Sequence, residues 1–263
     1  MLVAAMAEAA CPASLAEVES ARLVRPRHPA FVRATHWIAA FCFFALLLSG
    51  VEILISHPRF YWGETGNVLT PPLFTLPIPA SRASVPTGYN FVLKDQNGWS
   101  RSLHFQSAWL LVFTGLFYGI AGLVTNHFRR NLLPAAGARS RRELIRSIGD
   151  HLRFARPAPS EAWSYNILQR LAYTAVVFGL VPLMIWTGLA MSPGFVAGFP
   201  FVVTVLGGQQ SARTIHFIAT VLLVGFLVVH VVMVWRAGFV SRMRAMITGK
   251  PDSQQPRSQE EAG

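Results

Sequence analysis

Four long apolar runs, separated by polar connections, dominate the chain. They cover about residues 36–55, 105–125, 171–191 and 214–235. The last run has no Asp, Glu, Lys or Arg between Arg213 and Arg236. A helix needs roughly 20 apolar residues to cross a bilayer, so each run predicts one transmembrane helix. The pattern therefore predicts an all-α integral membrane protein built as a four-helix transmembrane bundle.

The third run contains Pro182 near its middle, which predicts a kink that neighbouring helices can shield. The runs also divide the chain into three parts. Residues 1–27 are expected to form a flexible basic leader, residues 28–247 the four-span domain and residues 248–263 a polar tail.

The connections between the runs differ in character. The long connection at 56–103 holds six prolines, with aromatic residues near its ends, and this predicts an irregular cap on an aromatic belt. The 126–170 connection has a basic stretch with apolar residues four apart, which predicts a helix on anionic headgroups or a solvated basic helix. The apolar stretch at 195–208 is too short to span and predicts an interfacial segment.

Composition and charge place the chain in a membrane and orient it there. Hydrophobic residues make up 52% of the chain and charged residues 13%, which is too apolar for an ordinary soluble domain. The net charge is +11, but the basic residues form no aromatic-interleaved patch, so nucleic-acid binding is not expected. Of the 23 Lys and Arg residues, 18 lie before the first run, in the 126–170 connection or after the fourth run. The positive-inside rule then predicts cytoplasmic termini in a bacterial inner membrane, with the other two connections outside.

Two histidines on the fourth run indicate the chemistry. His216 and His230 are fourteen residues apart, which leaves them within about 40° on one helix face, with a rise of roughly 21 Å. His36 opens the first run from the inner side and His104 opens the second from the outer side. Depth therefore pairs His36 with His230 and His104 with His216. Ionisable groups in a membrane are costly and mark function, so two pairs at two depths predict two metal centres.

Two bis-histidine sites fit haem better than zinc or copper, because zinc usually takes four mixed ligands. Iron with two axial histidines has no open position, which suits electron transfer. Cysteine adds no competing site: Cys11 and Cys42 form no CxxC or CxxCH motif. The sequence thus predicts two non-covalent haem groups.

Arginines recur at one spacing from three of these histidines. The motif Arg-x-x-His occurs at Arg33, Arg101 and Arg213, so each arginine shares a helix face with its histidine. A guanidinium there can pair with a haem propionate, although arginines at span ends also serve as ordinary interfacial anchors. Gly50 follows His36 by fourteen residues and is expected to face the outer haem, the alternative being a close helix contact.

The other histidines are assigned less specific roles. His28 and His151 lie in basic segments and are expected to be solvated, and His57 and His127 are expected to anchor span ends at the interface. His127 has a second interpretation, as part of the pocket for a quinone head group on the inner side.

The full pattern resembles a known family. The chain is similar to one group of proteins in several features. It has four apolar runs, the motif Arg33-x-x-His36-Trp37 followed by Leu48-Ser49-Gly50, a histidine that opens the second run and two histidines on the fourth run. The proteins of this group are the dihaem b-type cytochrome subunits of nickel-iron hydrogenases, respiratory formate dehydrogenases and thiosulfate reductases. The segment from His57 to Gly63 resembles members that serve periplasmic molybdopterin oxidoreductases.

The resemblance implies two haem b groups per chain and an electron-transfer subunit that is not an enzyme on its own. It implies transfer between the quinone pool, near the inner haem, and a periplasmic partner with a molybdopterin or nickel-iron centre. A stand-alone transmembrane haem reductase remains an alternative. A histidine-based transporter is less favoured, because transporters usually have more spans and an internal repeat.

Overall fold

A computed structural model describes residues 28–67, 69–78, 98–132 and 167–249. The predictions for the leader, for the basic stretch of the 126–170 connection, for His151 and for nearly all of the tail fall on residues outside these ranges. In chain order, the elements are α1 (Ala30–Ser56), β1 (Arg59–Phe60), β2 (Phe74–Thr75), α2 (Trp99–Val124), a π-helical segment (Phe128–Leu132), α3 (Ile167–Ala175), a second π-helical segment (Val176–Leu180), α4 (Val181–Ala190), α5 (Pro193–Gly198), α6 (Phe201–Thr204), α7 (Gln209–Arg236) and α8 (Phe239–Thr248).

The predicted four-span helical architecture is confirmed. Among the described residues, four helical stretches are long and apolar enough to cross a membrane: α1, α2, the third span formed by α3 to α4, and α7. Each begins four to six residues before the apolar run that predicted it, so polar residues at the span ends also belong to the helices. Thr35, for example, donates its hydroxyl to the carbonyl of Phe31 at 2.8 Å.

The third span widens next to its proline. The π-helical segment Val176–Leu180 comes directly before α4, whose second residue is Pro182. Proline has no N–H to donate to the carbonyl four residues earlier, and its ring crowds that carbonyl. The wider π-helical turn accommodates both effects directly before Pro182, where the sequence predicts a kink.

Small side chains face the interior of the bundle, and large apolar side chains face outward. Cys42 of α1 and Thr187 of α4 are fully buried, whereas Phe41, Phe44 and Phe113 are more than half exposed. Helix α1 packs along α2, and α4 packs along α7. Small interior residues allow helices to approach closely, and lipid covers the outer apolar side chains.

We call the end of the bundle that holds Ala30, Val124 and Arg236 the inner end, and the opposite end the outer end, after the predicted orientation. At the outer end, where an irregular cap was expected, the described part of the connection after α1 contains two short strands. Strand β1 pairs antiparallel with β2. The ring of Phe60 stacks on Phe74 at 4.7 Å and packs against Phe217 of α7 at 4.5 Å. This connection therefore rests directly on α7.

The same connection supplies the hydrogen bonds that the first turn of α7 needs. Residue Gly208, which precedes the helix, has no side chain to cap it. The carbonyl of Gly63 instead accepts from the N–H groups of Gln210 and Ser211, at 3.0 and 3.3 Å. The carboxylate of Glu64 accepts from the N–H of Gln209 at 3.2 Å. First-turn N–H groups have no partner within their own helix, so the outer connection acts as the cap of α7.

Two further segments close the ends of the bundle. The apolar stretch at 195–208 forms the short helices α5 and α6 at the outer end, where Val202 and Val203 pack against Ala190 and Ala212. At the inner end, α8 is held through its last carbonyl groups. Those of Ile247 and Met246 accept from Arg33 at 3.0 Å and from Trp37 at 3.2 Å.

Candidate functional site: two histidine pairs

The four histidines of the spans face each other in two pairs. The ring centroids of His104 and His216 are 6.3 Å apart at the outer end, with 57° between the ring planes. Those of His36 and His230 are 6.4 Å apart at the inner end, with 49° between the planes. These are the same pairs that depth along the helices suggested.

Both separations fit a single iron between two imidazoles. A metal–nitrogen bond measures about 2 Å and the ring centroid lies about 1 Å behind the nitrogen, so two axial imidazoles have centroids about 6 Å apart. A direct hydrogen bond between the rings would shorten this separation to about 5 Å. The rings therefore stand apart by the distance that bis-histidine ligation requires.

The donor set fits haem better than a protein-bound metal ion. Within the part of the chain that the structure describes, no group of three or more His, Cys, Asp or Glu side chains could hold a metal ion. A structural zinc site needs four protein ligands and a catalytic one three. A porphyrin supplies four nitrogens to its iron, so two histidines complete the coordination.

Hydroxyl groups orient the two outer histidines. The hydroxyl of Thr187 lies 2.8 Å from Nδ1 of His216, and that of Ser49 lies 3.0 Å from Nδ1 of His104. Each hydroxyl donates its single proton to a carbonyl of its own helix. Thr187 donates to Leu183 at 2.8 Å, and Ser49 donates to Ala45 at 2.7 Å. With their protons so used, the hydroxyls accept from Nδ1–H and leave each Nε2 as the free metal ligand. Sequence analysis did not identify Thr187 or assign a role to Ser49.

Two glycines border the outer histidines. A Cβ added to Gly50 would lie 3.5 Å from Cε1 of His104, and one added to Gly188 would lie 3.7 Å from Cε1 of His216. Gly50 thus lies at the outer pair, at the depth expected of it, and Gly188 mirrors it from the third span. The sequence spacing from His36 identified Gly50, whereas Gly188 has no histidine at such a spacing on its own helix.

The inner pair has aromatic neighbours instead of hydroxyls. The ring of Phe226 stacks on His230 at 5.8 Å, and Tyr173 approaches it edge-on at 6.2 Å. Nδ1 of His36 is buried, and no hydrogen-bond partner for it lies among the described residues. A buried polar atom without a hydrogen-bond partner is rare in a protein. Nδ1 of His36 is therefore expected to bond to a group other than the described side chains.

The three predicted arginines lie in different surroundings. Arg33 donates to the carbonyl of Ile247, and its Nε is buried without a partner among the described residues. Arg101 is exposed on the first turn of α2. Arg213 donates to the carbonyl groups of His57 and Arg59, so it fastens the outer connection to α7.

Positive groups gather near the outer pair. Burial lowers the pKa of His57, and the charges of Arg213 and Arg101 lower it further, which places both guanidinium groups near this ring. Converging positive charges repel each other and favour a bound anion. An acidic group such as a haem propionate would relieve that repulsion.

Comparisons with known proteins place the chain in a family. The sequence profile of the family described as prokaryotic cytochrome b561 matches residues 27–249. The putative protein-methionine-sulfoxide reductase subunit YedZ1 of Azospira oryzae is 28% identical over 207 residues, which cover 79% of this chain and 89% of that protein. No solved structure matches the chain.

Proposed function

Because the chain belongs to the prokaryotic cytochrome b561 family, we propose that it is a dihaem cytochrome b that passes electrons between the quinone pool and a catalytic partner. The observation that carries this proposal is the pair of histidine sites, with centroid separations of 6.3 and 6.4 Å, at the two ends of one bundle. The chain is then an electron-transfer subunit of a larger oxidoreductase and not an enzyme on its own.

His36 with His230, and His104 with His216, would each hold one haem b through Nε2. The group supplies a carrier for one electron at a time, without an open position for a substrate. The protein sets the depth of each site and the orientation of each ligand. Ser49 and Thr187 do this for the outer histidines through Nδ1.

Helix α7 sets the distance between the two sites. It is continuous from Gln209 to Arg236 and carries one histidine of each pair. Fourteen residues at 1.5 Å each separate His216 from His230 by roughly 21 Å along the helix axis. Porphyrin edges extend well inside that spacing, so the two sites can exchange electrons across the hydrocarbon.

Charged and small residues complete the sites in this proposal. Arg101 and Arg213 would pair with propionates of the outer haem, and Arg33 with a propionate of the inner haem. The buried, unpartnered Nε of Arg33 and the positive groups around His57 support these roles. Gly50 leaves room beside His104 where a larger side chain would press on the imidazole.

The partner would dock at the outer end, which the charge distribution assigns to the periplasm. The relative named as a methionine-sulfoxide reductase subunit supports an oxidoreductase as that partner. The resemblance of the segment from His57 to Gly63 favours a molybdopterin enzyme over a nickel-iron enzyme. The chain itself would lie in the bacterial inner membrane with both termini in the cytoplasm, and the quinone would bind near the inner haem.

Haem content and single histidine variants test the proposal. We expect purified protein to contain two haem b by the pyridine haemochrome assay. His104→Ala and His216→Ala should each remove the same outer haem, and His36→Ala and His230→Ala the same inner haem, because each iron loses an axial ligand.

The matched controls are His57→Ala and His127→Ala, which change span-end histidines outside both pairs and should keep both haems. A colourless preparation from haem-replete cells would disprove the proposal. The same spectral loss in His36→Ala and His216→Ala would disprove the pairing.

A further inference from the structure

His127 is a buried histidine that belongs to neither pair. It lies three residues beyond the end of α2 at the inner end, with 7% of its surface exposed. Three aromatic rings surround it. Those of Phe31, Tyr118 and Phe128 lie at centroid distances of 5.5, 6.0 and 6.1 Å. Its expected role as an interfacial anchor does not account for this enclosure.

The position of the proton on His127 follows from its surroundings. Burial lowers the pKa of His127, so the ring is neutral near pH 7 and carries one N–H. The side-chain amide of Asn131 lies 3.0 Å from Nδ1 and donates to it. The ring proton is then on Nε2. No acceptor for Nε2 lies among the described residues.

The His127 cage, formed by His127, Phe31, Tyr118 and Phe128, lies beside the inner histidine pair. Tyr118 follows His104 by fourteen residues on α2, so it points to the same interior face at the inner depth. The hydroxyl of Thr174 donates to the carbonyl of Leu132 at 3.3 Å, which ties the segment after the cage to α3.

The residue before Thr174 on α3 contacts the inner pair. The ring of Tyr173 lies 6.2 Å from the ring of His230. The cage and the inner pair therefore share the same helix neighbour.

We propose that the His127 cage binds the head group of a quinone and that Nε2–H of His127 donates a hydrogen bond to one quinone carbonyl. This inference rests on the proposed function and names residues for its quinone site. A quinone head group is a flat apolar ring with carbonyl acceptors on its edge. It fits a site with aromatic walls and one well-placed N–H donor.

The location suits a ligand that arrives through the lipid. The exposed apolar residues Phe117, Ile120, Leu123 and Val124 surround the same end of α2. These residues give a lipid-soluble molecule an apolar surface by which to approach this end of α2. The competing explanation is a histidine that only fastens the turn after α2 through Asn131.

Two substitutions separate these explanations. His127→Gln keeps an N–H donor near the position of Nε2, whereas His127→Leu keeps the volume and loses the donor. Binding of a heptyl-hydroxyquinoline N-oxide, a fluorescent quinol analogue, is measured by fluorescence quenching on the purified, haem-loaded chain. Loss of one hydrogen bond to a buried group should weaken binding about tenfold in His127→Leu. In His127→Gln we expect binding within about threefold of wild type.

The matched control is His57→Leu, which changes a span-end histidine at the opposite end and should bind the analogue like wild type. Unchanged binding in His127→Leu, equal losses in both His127 variants, or an equal loss in His57→Leu would each overturn the inference. The haem spectrum of every variant reports its folding. Wild-type chain that neither binds the analogue nor is reduced by duroquinol would instead count against the proposed function, so the two failures are distinguishable.

Discussion

Single hydroxyl groups determine which ring nitrogen of each outer histidine carries the proton. Thr187 and Ser49 each use their proton on a carbonyl of their own helix and present an oxygen to Nδ1 of His216 or His104. A histidine that donates from Nδ1 is a more basic ligand through Nε2. The inner pair has no such hydroxyl at Nδ1 of His36 among the described residues. In the proposed haem sites, the ligands would therefore differ in basicity although each site has two histidines.

We expect Thr187→Val to raise the midpoint potential of the outer haem. The change removes the hydroxyl acceptor for Nδ1–H of His216, which would make His216 a less basic ligand that stabilises the oxidised iron less. A hydrogen bond contributes about 1 kcal/mol, which corresponds to tens of millivolts for one electron. A spectroscopic redox titration measures the shift. The control is Thr114→Val, because the buried hydroxyl of Thr114 donates to Leu110 at 2.7 Å and contacts no histidine. Equal shifts in the two variants would contradict the role of Thr187.

At the scale of elements, the first turn of α7 depends on the outer connection. Gly63 and Glu64 supply its hydrogen-bond partners. In the second turn, the hydroxyl of Thr214 donates to the carbonyl of Tyr61 at 2.7 Å. His216 lies less than one turn beyond Thr214. The position of His216, a proposed ligand of the outer haem, is thus coupled to the loop on which a partner would dock.

Gly208→Ala tests this coupling. A Cβ at Gly208 would lie 2.5 Å from the backbone of Gly63, at a φ of +116°, so the connection must move away from α7. We expect loss of the outer haem, or a lower temperature for its release, with the inner haem retained. Gly207→Ala is the matched control. It carries the same kind of backbone strain at a φ of +79°, but its Cβ would meet Ser211 at an ordinary 3.6 Å. Equal losses in both variants would assign the effect to strain alone.

The sequence predicted the spans because apolar runs are local, and it suggested the histidine pairs because a regular helix converts spacing into direction and depth. It could not predict that Gly63 bonds to Ser211, since these residues are 148 positions apart and meet through an irregular loop. The enclosure of His127 was missed for a similar reason: its cage combines α1 and α2 with the turn that follows. Thr187 was missed because a threonine in an apolar helix commonly bonds to its own backbone.

At the scale of the whole molecule, the predicted orientation would give the proposed electron path its direction across the membrane. The prediction rests on 18 of 23 Lys and Arg residues at the inner side. The outer end would then face the periplasm with the docking connection, and the inner end would face the cytoplasm with the His127 cage. The fold alone is compatible with either orientation.

Labelling of introduced cysteines in spheroplasts measures the orientation of the chain in the membrane. In a Cys11→Ser background, a membrane-impermeant maleimide should label Leu69→Cys in spheroplasts, because this outer residue is 89% exposed. Arg129→Cys at the inner end should react only after the membrane is opened. The natural Cys42 is fully buried and should stay unlabelled. Labelling of Arg129→Cys in closed spheroplasts would reverse the assignment of the two ends.

The unbroken α7 helix also constrains how the chain can change over time. It carries His216 and His230, whereas their partners lie on two separate helices. Inserting or deleting one residue between the two histidines would turn one imidazole by about 100° relative to the other and shift it by about 1.5 Å. The connections at either end can change length without this effect. The stretch between the two histidines must therefore keep its number of residues. It can evolve by substitution but not by insertion or deletion of single residues.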